Sequence, residues 1–109
     1  MQWFIARENI DHYLGILNSD VLLAPEKRVV IIKLLTAELD KLSRDPEQLE
    51  FAETRAASCR ERLKHVGARP ADTEADRANA ARLVADLKVT QDLLEDFCHR
   101  LRTEVSCRE

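Results

Sequence analysis

The chain has 109 residues, a length that suits one domain with a modest hydrophobic core. Hydrophobic residues make up 45% and charged residues 34%, with a net charge of −3 and the two signs interleaved. That mixture excludes the one-sided basic field of a nucleic-acid binder, and no apolar run is long enough for a signal peptide or a membrane span. With two glycines, three prolines, scarce aromatics and abundant Ala, Leu, Glu, Arg and Asp, the composition predicts an all-α protein with long elements. The expectation is one domain, 1–109, folded as an antiparallel bundle of about four helices. It comprises a helical hairpin over 3–42, a helix over 46–66 and a long C-terminal helix over 73–107.

The first helix is predicted from Trp3 to Leu17, because Trp3, Ala6, Ile10, Tyr13 and Leu17 recur at three- and four-residue steps. Trp3, Phe4 and Ile5 read either as an exposed docking element or, as is commoner for such residues, as the closure of one end of the core, since aromatics bury large areas; the closure is the expectation taken. Asn18-Ser19-Asp20 reads as the stop, and Val21-Leu22-Leu23 as an apolar connector tucked against a neighbour.

Pro25 suits the first position of a second helix, where a missing N–H costs nothing. Val29, Ile32, Leu35, Leu39 and Leu42 form its seam. Val30, Ile31 and Leu34 widen the apolar face so far that cover on more than one side is expected. Asp45-Pro46-Glu47-Gln48 has the chemistry of a helix start: Asp45 as cap, Pro46 in first position, Gln48 reaching back. Leu35, Leu42, Leu49, Ala56 and Leu63 repeat every seven residues across this break, so one long kinked helix also fits. Agreement between the cap and the proline favours a turn.

The third helix carries Leu49, Ala52, Ala56, Cys59, Leu63 and Val66, a thin seam of small residues. Gly67 is expected as a left-handed C-cap, with Pro70 preventing continuation. The stretch Thr73 to Asp76 offers a capping-box-like start for the fourth helix, which would reach roughly 50 Å at about 1.5 Å per residue. Its seam is Ala80, Val84 beside Leu83, Leu87, Gln91, Leu94, Cys98, Leu101 and Val105. Its C-terminal part is expected to overhang the bundle and to need cover from a second copy.

No pattern supports catalysis. His12, His65 and His99 fall on different predicted helices, Gly15 and Gly67 stand alone, and no metal-ligand spacing occurs. Cys98-His99 fails as a metal pair with Cys107, because nine helical residues turn by about half a circle. The three cysteines read as free thiols in a reducing compartment. The most basic stretch, Arg55 to Arg69, is interrupted by Glu61 and reads as a solvated face.

Two segments resemble known families. Arg7-Glu8-Asn9-Ile10-Asp11-His12-Tyr13, then Pro25-Glu26-Lys27-Arg28 and Leu34 to Leu42, resemble small alphaproteobacterial helical-hairpin proteins. Those read "N-I-x-x-Y/F-x-x-L-L" and "P-E-x-R … L-L-x-E-E-x-K-L". The resemblance implies a helical hairpin and no activity. The stretch Leu94-Glu95-Asp96-Phe97-Cys98-His99-Arg100-Leu101-Arg102-Thr103-Glu104-Val105 is similar to the H-box of sensor histidine kinases, roughly "F-x-x-x-S-H-E-L-R-T-P-L". This implies His99 as a phosphoacceptor served by a phosphate donor on another protein. Arg100 stands where that family has an acidic residue, and Glu104 where it has proline.

The function expected from the residues is a cytoplasmic, non-enzymatic adaptor or regulator without cofactor or metal, homodimeric, acting on a protein partner. The expected interaction surface is Val29, Ile32, Leu35, Leu39 and Leu42 with Leu87, Leu94, Leu101 and Val105. The alternative is phosphotransfer through His99.

Overall fold

A computed structural model describes residues 2–19, 23–70 and 72–108, without the side chains of Gln2, Cys107 and Arg108. Among the described residues the fold is all-α, with four helices: α1 (Gln2–Leu17), α2 (Pro25–Leu42), α3 (Leu49–Ala68) and α4 (Glu74–Arg108). The expected cover for the connector falls on Val21 and Leu22, outside the described residues; Leu23 is half-buried.

Local chemistry sets the boundaries. Pro25 opens α2 as its first residue. Between α2 and α3 the break is a turn: Asp45 accepts a hydrogen bond from the Glu47 backbone N–H at 3.1 Å and another from Gln48 Nε2 at 3.0 Å. A single 3₁₀ turn, Pro46–Gln48, then leads into α3. Gln48 thus reaches the cap's carboxylate. Thr73 Oγ1 accepts from the Asp76 N–H at 3.0 Å, as a capping side chain should. Gly67 is not a left-handed cap, for no described glycine has positive φ. The helix runs on to Ala68 and stops at Arg69, whose extended φ −64° and ψ 133° are what a following proline demands.

Side-chain pairs fix the helix order. Glu53 meets Arg102 and Arg60 meets Glu95, so α3 and α4 are antiparallel. Arg28 meets Asp86 and Arg100 meets Asp40, so α2 runs parallel to α4. Arg55 holds Asp11 with two nitrogens, at 2.6 and 2.9 Å, and Arg7 donates to Gln48, so α1 runs parallel to α3. The result is an up-down-up-down bundle. Arg55 also lies over the Phe51 ring, and its pairing with Asp11 strengthens its hold on its proton.

The core follows the three-four rhythm. Ala6, Ile10, Leu14 and Leu17 of α1 meet Leu35, Leu39 and Leu42 of α2, Phe51, Ala52, Ala56 and Cys59 of α3, and Leu94, Phe97, Cys98 and Leu101 of α4. A second, smaller cluster joins Val66 to Leu83 and Leu87. Between the two lies a polar layer: buried Thr90 and Gln91, with Gln91 Nε2 donating to Glu95, which also pairs with Arg60.

Two expectations are corrected. The C-terminal stripe of α4 does not overhang, because Leu94, Cys98 and Leu101 lie in the chain's own core. It is the other end that projects. Arg82 donates to the Leu23 carbonyl and Arg28 to the Asp86 carbonyl, so the α1–α2 hairpin ends level with residues 82–86. Beyond that level, the end of α3 and the start of α4 continue as a two-helix arm, giving an overall length of 53 Å. Nor do the aromatics at the N-terminus close the core. Trp3, Phe4 and Ile5 are all exposed, because the Ala6–Ile10–Leu14–Leu17 stripe points them outward, and Arg7 stacks on Trp3.

Candidate interaction surface

The phase of α1 and α2 decides what the hairpin shows to solvent. With Ala6, Ile10, Leu14 and Leu17 turned inward on α1, Ile5 and Ile16 fall on its outer flank, beside α2. With Leu35, Leu39 and Leu42 turned inward on α2, Val30 and Leu34 fall on the matching flank. Ile5 is 60% exposed, Val30 55% and Leu34 43%. Between the helices the surface sinks twice. Near the connector a dent of about 400 Å³, almost wholly apolar, is lined by Ile16, Leu23, Val30 and Ile31 with the stems of Glu26 and Lys27. At the opposite end a second dent of about 370 Å³, part polar, lies between Ile5, Ala6, Glu38 and Lys41. Lys41 donates to Glu38 Oε1 at 2.9 Å, while Glu38 Oε2 is buried without a hydrogen-bond partner.

Val29, one residue before Val30 and so turned about 100° from it around α2, lies off that flank and is also exposed, as is Val89 on α4. The apolar face of α2 is therefore not covered on more than one side. The core takes one side of the helix, and the remaining β-branched and leucine side chains reach solvent.

The nine expected interaction residues divide accordingly. Leu35, Leu39, Leu42, Leu87, Leu94 and Leu101 are buried within the chain and present no free surface; Ile32 and Val105 are half-buried, and Val29 alone is exposed. The outer-flank residues Ile5, Ile16, Val30 and Leu34 were not singled out as a surface by their spacing. The signal for Val30 and Leu34 was the excess apolar width of α2, and for Ile5 the docking reading of the Trp3-Phe4-Ile5 run; Ile16 carried no signal of its own.

His99 is exposed on the outer side of α4, where it lines an open depression of about 390 Å³ with Arg102, Thr103 and Ser106. Arg102 approaches Glu53 at only 4.0 Å, at the limit of an ion pair, and Thr103 donates to the His99 carbonyl. Cys59 and Cys98 are unbridged and buried. Burial pushes the Cys59 thiol up to about 11 and raises that of Cys98, so both stay protonated and unreactive near neutrality. Among the described residues no group of histidine, cysteine or carboxylate side chains could hold a metal ion, and no helix is long and apolar enough to cross a membrane. Comparison with protein-family models, with curated proteins and with solved structures gives no match.

Proposed function

We propose that this chain is a non-enzymatic helical protein–protein interaction module, an adaptor or regulator working in a reducing cytoplasm through the outer groove of the α1–α2 hairpin. The observation that carries the reading is the row of Ile5, Val30 and Leu34, exposed by 60, 55 and 43% beside one apolar dent and one mixed dent on a pair of helices. Scattered apolar side chains need no explanation, but a contiguous apolar strip with charged ends is the form of a docking surface. Such grooves accept apolar helix faces, with anchors entering dents and charges setting direction. The test is affinity capture from the native host with wild type, Leu34→Asp and Val89→Asp, each checked for unchanged helicity. A partner held by wild type and by Val89→Asp but lost with Leu34→Asp supports the reading. A partner lost with neither variant, or no partner at all, ends it.

A second reading rests on His99. It stands exposed on a long helix of a bundle, with the guanidinium of Arg102 in the same open depression. A phosphorylated donor protein could transfer its phosphoryl group to a ring nitrogen there, the P–N bond forming as the donor's bond to phosphorus breaks. Arg102 would neutralise the arriving charge. Incubation with phosphorylated receiver domains should give an acid-labile phosphate that disappears in His99→Gln. Its absence, or its survival in that variant, removes the reading.

A further inference from the structure

We propose that Arg7, Gln48 and Asp45 form a clasp that, together with Pro46, holds the chain closed on itself. With clasp and proline removed, α2 and α3 join into one helix and two copies exchange their α1–α2 hairpins.

The clasp is a run of polar contacts through the turn between the hairpins. Arg7 of α1 is held between the Trp3 and Phe51 rings, at 4.8 and 4.7 Å. Its Nε donates to Gln48 Oε1 at 2.6 Å, and Gln48 Nε2 donates to Asp45 Oδ2 at 3.0 Å. The other Asp45 carboxylate oxygen accepts from the Glu47 N–H. Gln48 is only 2% exposed, a buried amide with both its oxygen and its nitrogen engaged. Capping α3 needs only Asp45 and a backbone N–H. The link onward to Arg7 ties the turn to the first helix of the chain.

Little backbone change separates this turn from a helix. Ser43, Gln48 and Leu49 already hold helical dihedrals, while Asp45 is extended at φ −104° and ψ 101°. Leu35, Leu42, Leu49 and Ala56 repeat every seven residues across the turn, the period at which a joined helix keeps one face toward a coiling partner. Leu35, Leu42 and Ala56 lie in the core and Leu49 packs against it. Two residues oppose the joining. Pro46 has no N–H for the Leu42 carbonyl, which the closed turn satisfies instead from the Asp45 N–H at 3.1 Å. Asp45, as the residue before proline, is held in the extended region it occupies.

The contacts that fasten the two hairpins together serve an exchanged pair equally well. Asp11–Arg55, Arg28–Asp86 and Asp40–Arg100 each link α1 or α2 to α3 or α4, and each can form between two copies as within one. Exchange of an identical element through a hinge is a low-cost route to a dimer. The choice between closure and exchange therefore rests on residues 43–48 and on Arg7, which reaches them.

Sedimentation equilibrium at concentrations up to ~1 mM reads that choice. Wild type should stay at 12.5 kDa. Asp45→Ala/Pro46→Ala should approach twice that mass at wild-type helicity, because relieving a helix interior of proline favours the joined form on the order of a hundredfold per hinge. Arg7→Ala/Pro46→Ala should self-associate more tightly than Pro46→Ala alone, since Arg7 acts on the turn through Gln48. A bismaleimide across Asp11→Cys and Arg55→Cys, in a Cys107→Ser background, tells exchange from side-by-side association. On a denaturing gel the link should fall within one chain when the turn is intact, and between two chains once Asp45 and Pro46 are replaced. The proposal is overturned by a wild type already linked between chains, or by variants that all remain at 12.5 kDa. It is equally overturned by a dimer linked only within chains, or by Arg7→Ala adding nothing to Pro46→Ala. Loss of helicity in both double variants overturns it too, because the turn would then be needed for the helices themselves and not for closure.

Discussion

Replacing Leu94 by alanine separates a core residue from an interface residue. Leu94 is 1% exposed and packs in the larger cluster with Phe97, Cys98 and Leu101. The substitution removes three carbons from a closed site. At ~0.8 kcal/mol for each buried methylene, the transfer loss alone is about 2.4 kcal/mol. The cavity left behind raises this, because the side chains around a closed core site relax only partly. Leu→Ala changes in such sites cost about 2.7–5 kcal/mol, so about 3–4 kcal/mol is expected here. For a domain near this size each kcal/mol lowers Tm by about 4 °C, which puts the melting temperature down by about 12–16 °C. Leu34→Ala, at a surface position, should change stability by less than ~0.5 kcal/mol. Thermal melts followed by circular dichroism give both numbers. Should Leu94→Ala melt within a few degrees of wild type, the stripe on α4 is not the chain's own core, and the packing described above is wrong.

Three further outcomes are expected. Asp86→Ala removes the carboxylate that pairs with the mostly buried Arg28 guanidinium at 3.2 Å, where side-chain exposures are 13% and 23%; urea titration should show a loss of about 1–3 kcal/mol, and no change would mean the two hairpins are not joined there. The buried Cys59 thiol is raised from 9.0 to about 11, so the folded state keeps its proton longer than the unfolded chain. That stabilisation is complete below pH 9.0 and is lost as pH rises toward about 11, and Cys59→Ala should flatten the decline measured by denaturant titration across this window. In hydrogen exchange followed by mass spectrometry, amides of residues 64–68 and 76–82 should exchange well ahead of those of 94–101; equal protection would contradict an arm held only by the small cluster of Val66, Leu83 and Leu87 with the half-buried Leu63 and Val84.

The architecture could be read from the chain because its rules are local. The Ala6–Ile10–Leu17 and Leu35–Leu39–Leu42 rhythms fix which way each helix faces, and Asp45-Pro46 and Thr73 mark where helices begin. Gly67 misled because a left-handed cap is only one way to stop a helix; Pro70 stops this one by forcing Arg69 into extended backbone. The surface was harder to read because a hydrophobic stripe does not state what covers it. Leu94 and Leu101 look the same in sequence whether they face α3 or another molecule. Only the lengths of α1 and α2, and the level at which Arg28 meets Asp86, show that α4 is covered at its C-terminal half and bare at its start. Ile5 and Val30 were hard to place for the converse reason: apolar character alone does not reveal on which flank of the hairpin a side chain lies.

The two-helix arm offers a practical handle. Its connection, around Arg69 to Thr73, is the point on the chain most remote from the α1–α2 groove, with every described residue from Gly67 to Asn79 exposed to water. Exposed turns of this kind tolerate added chain better than any other position. A fluorescent protein or affinity peptide spliced in there should leave the α1–α2 groove uncrowded. A tag fused ahead of Trp3 would instead crowd Ile5, and it is the attachment to avoid when binding is to be measured.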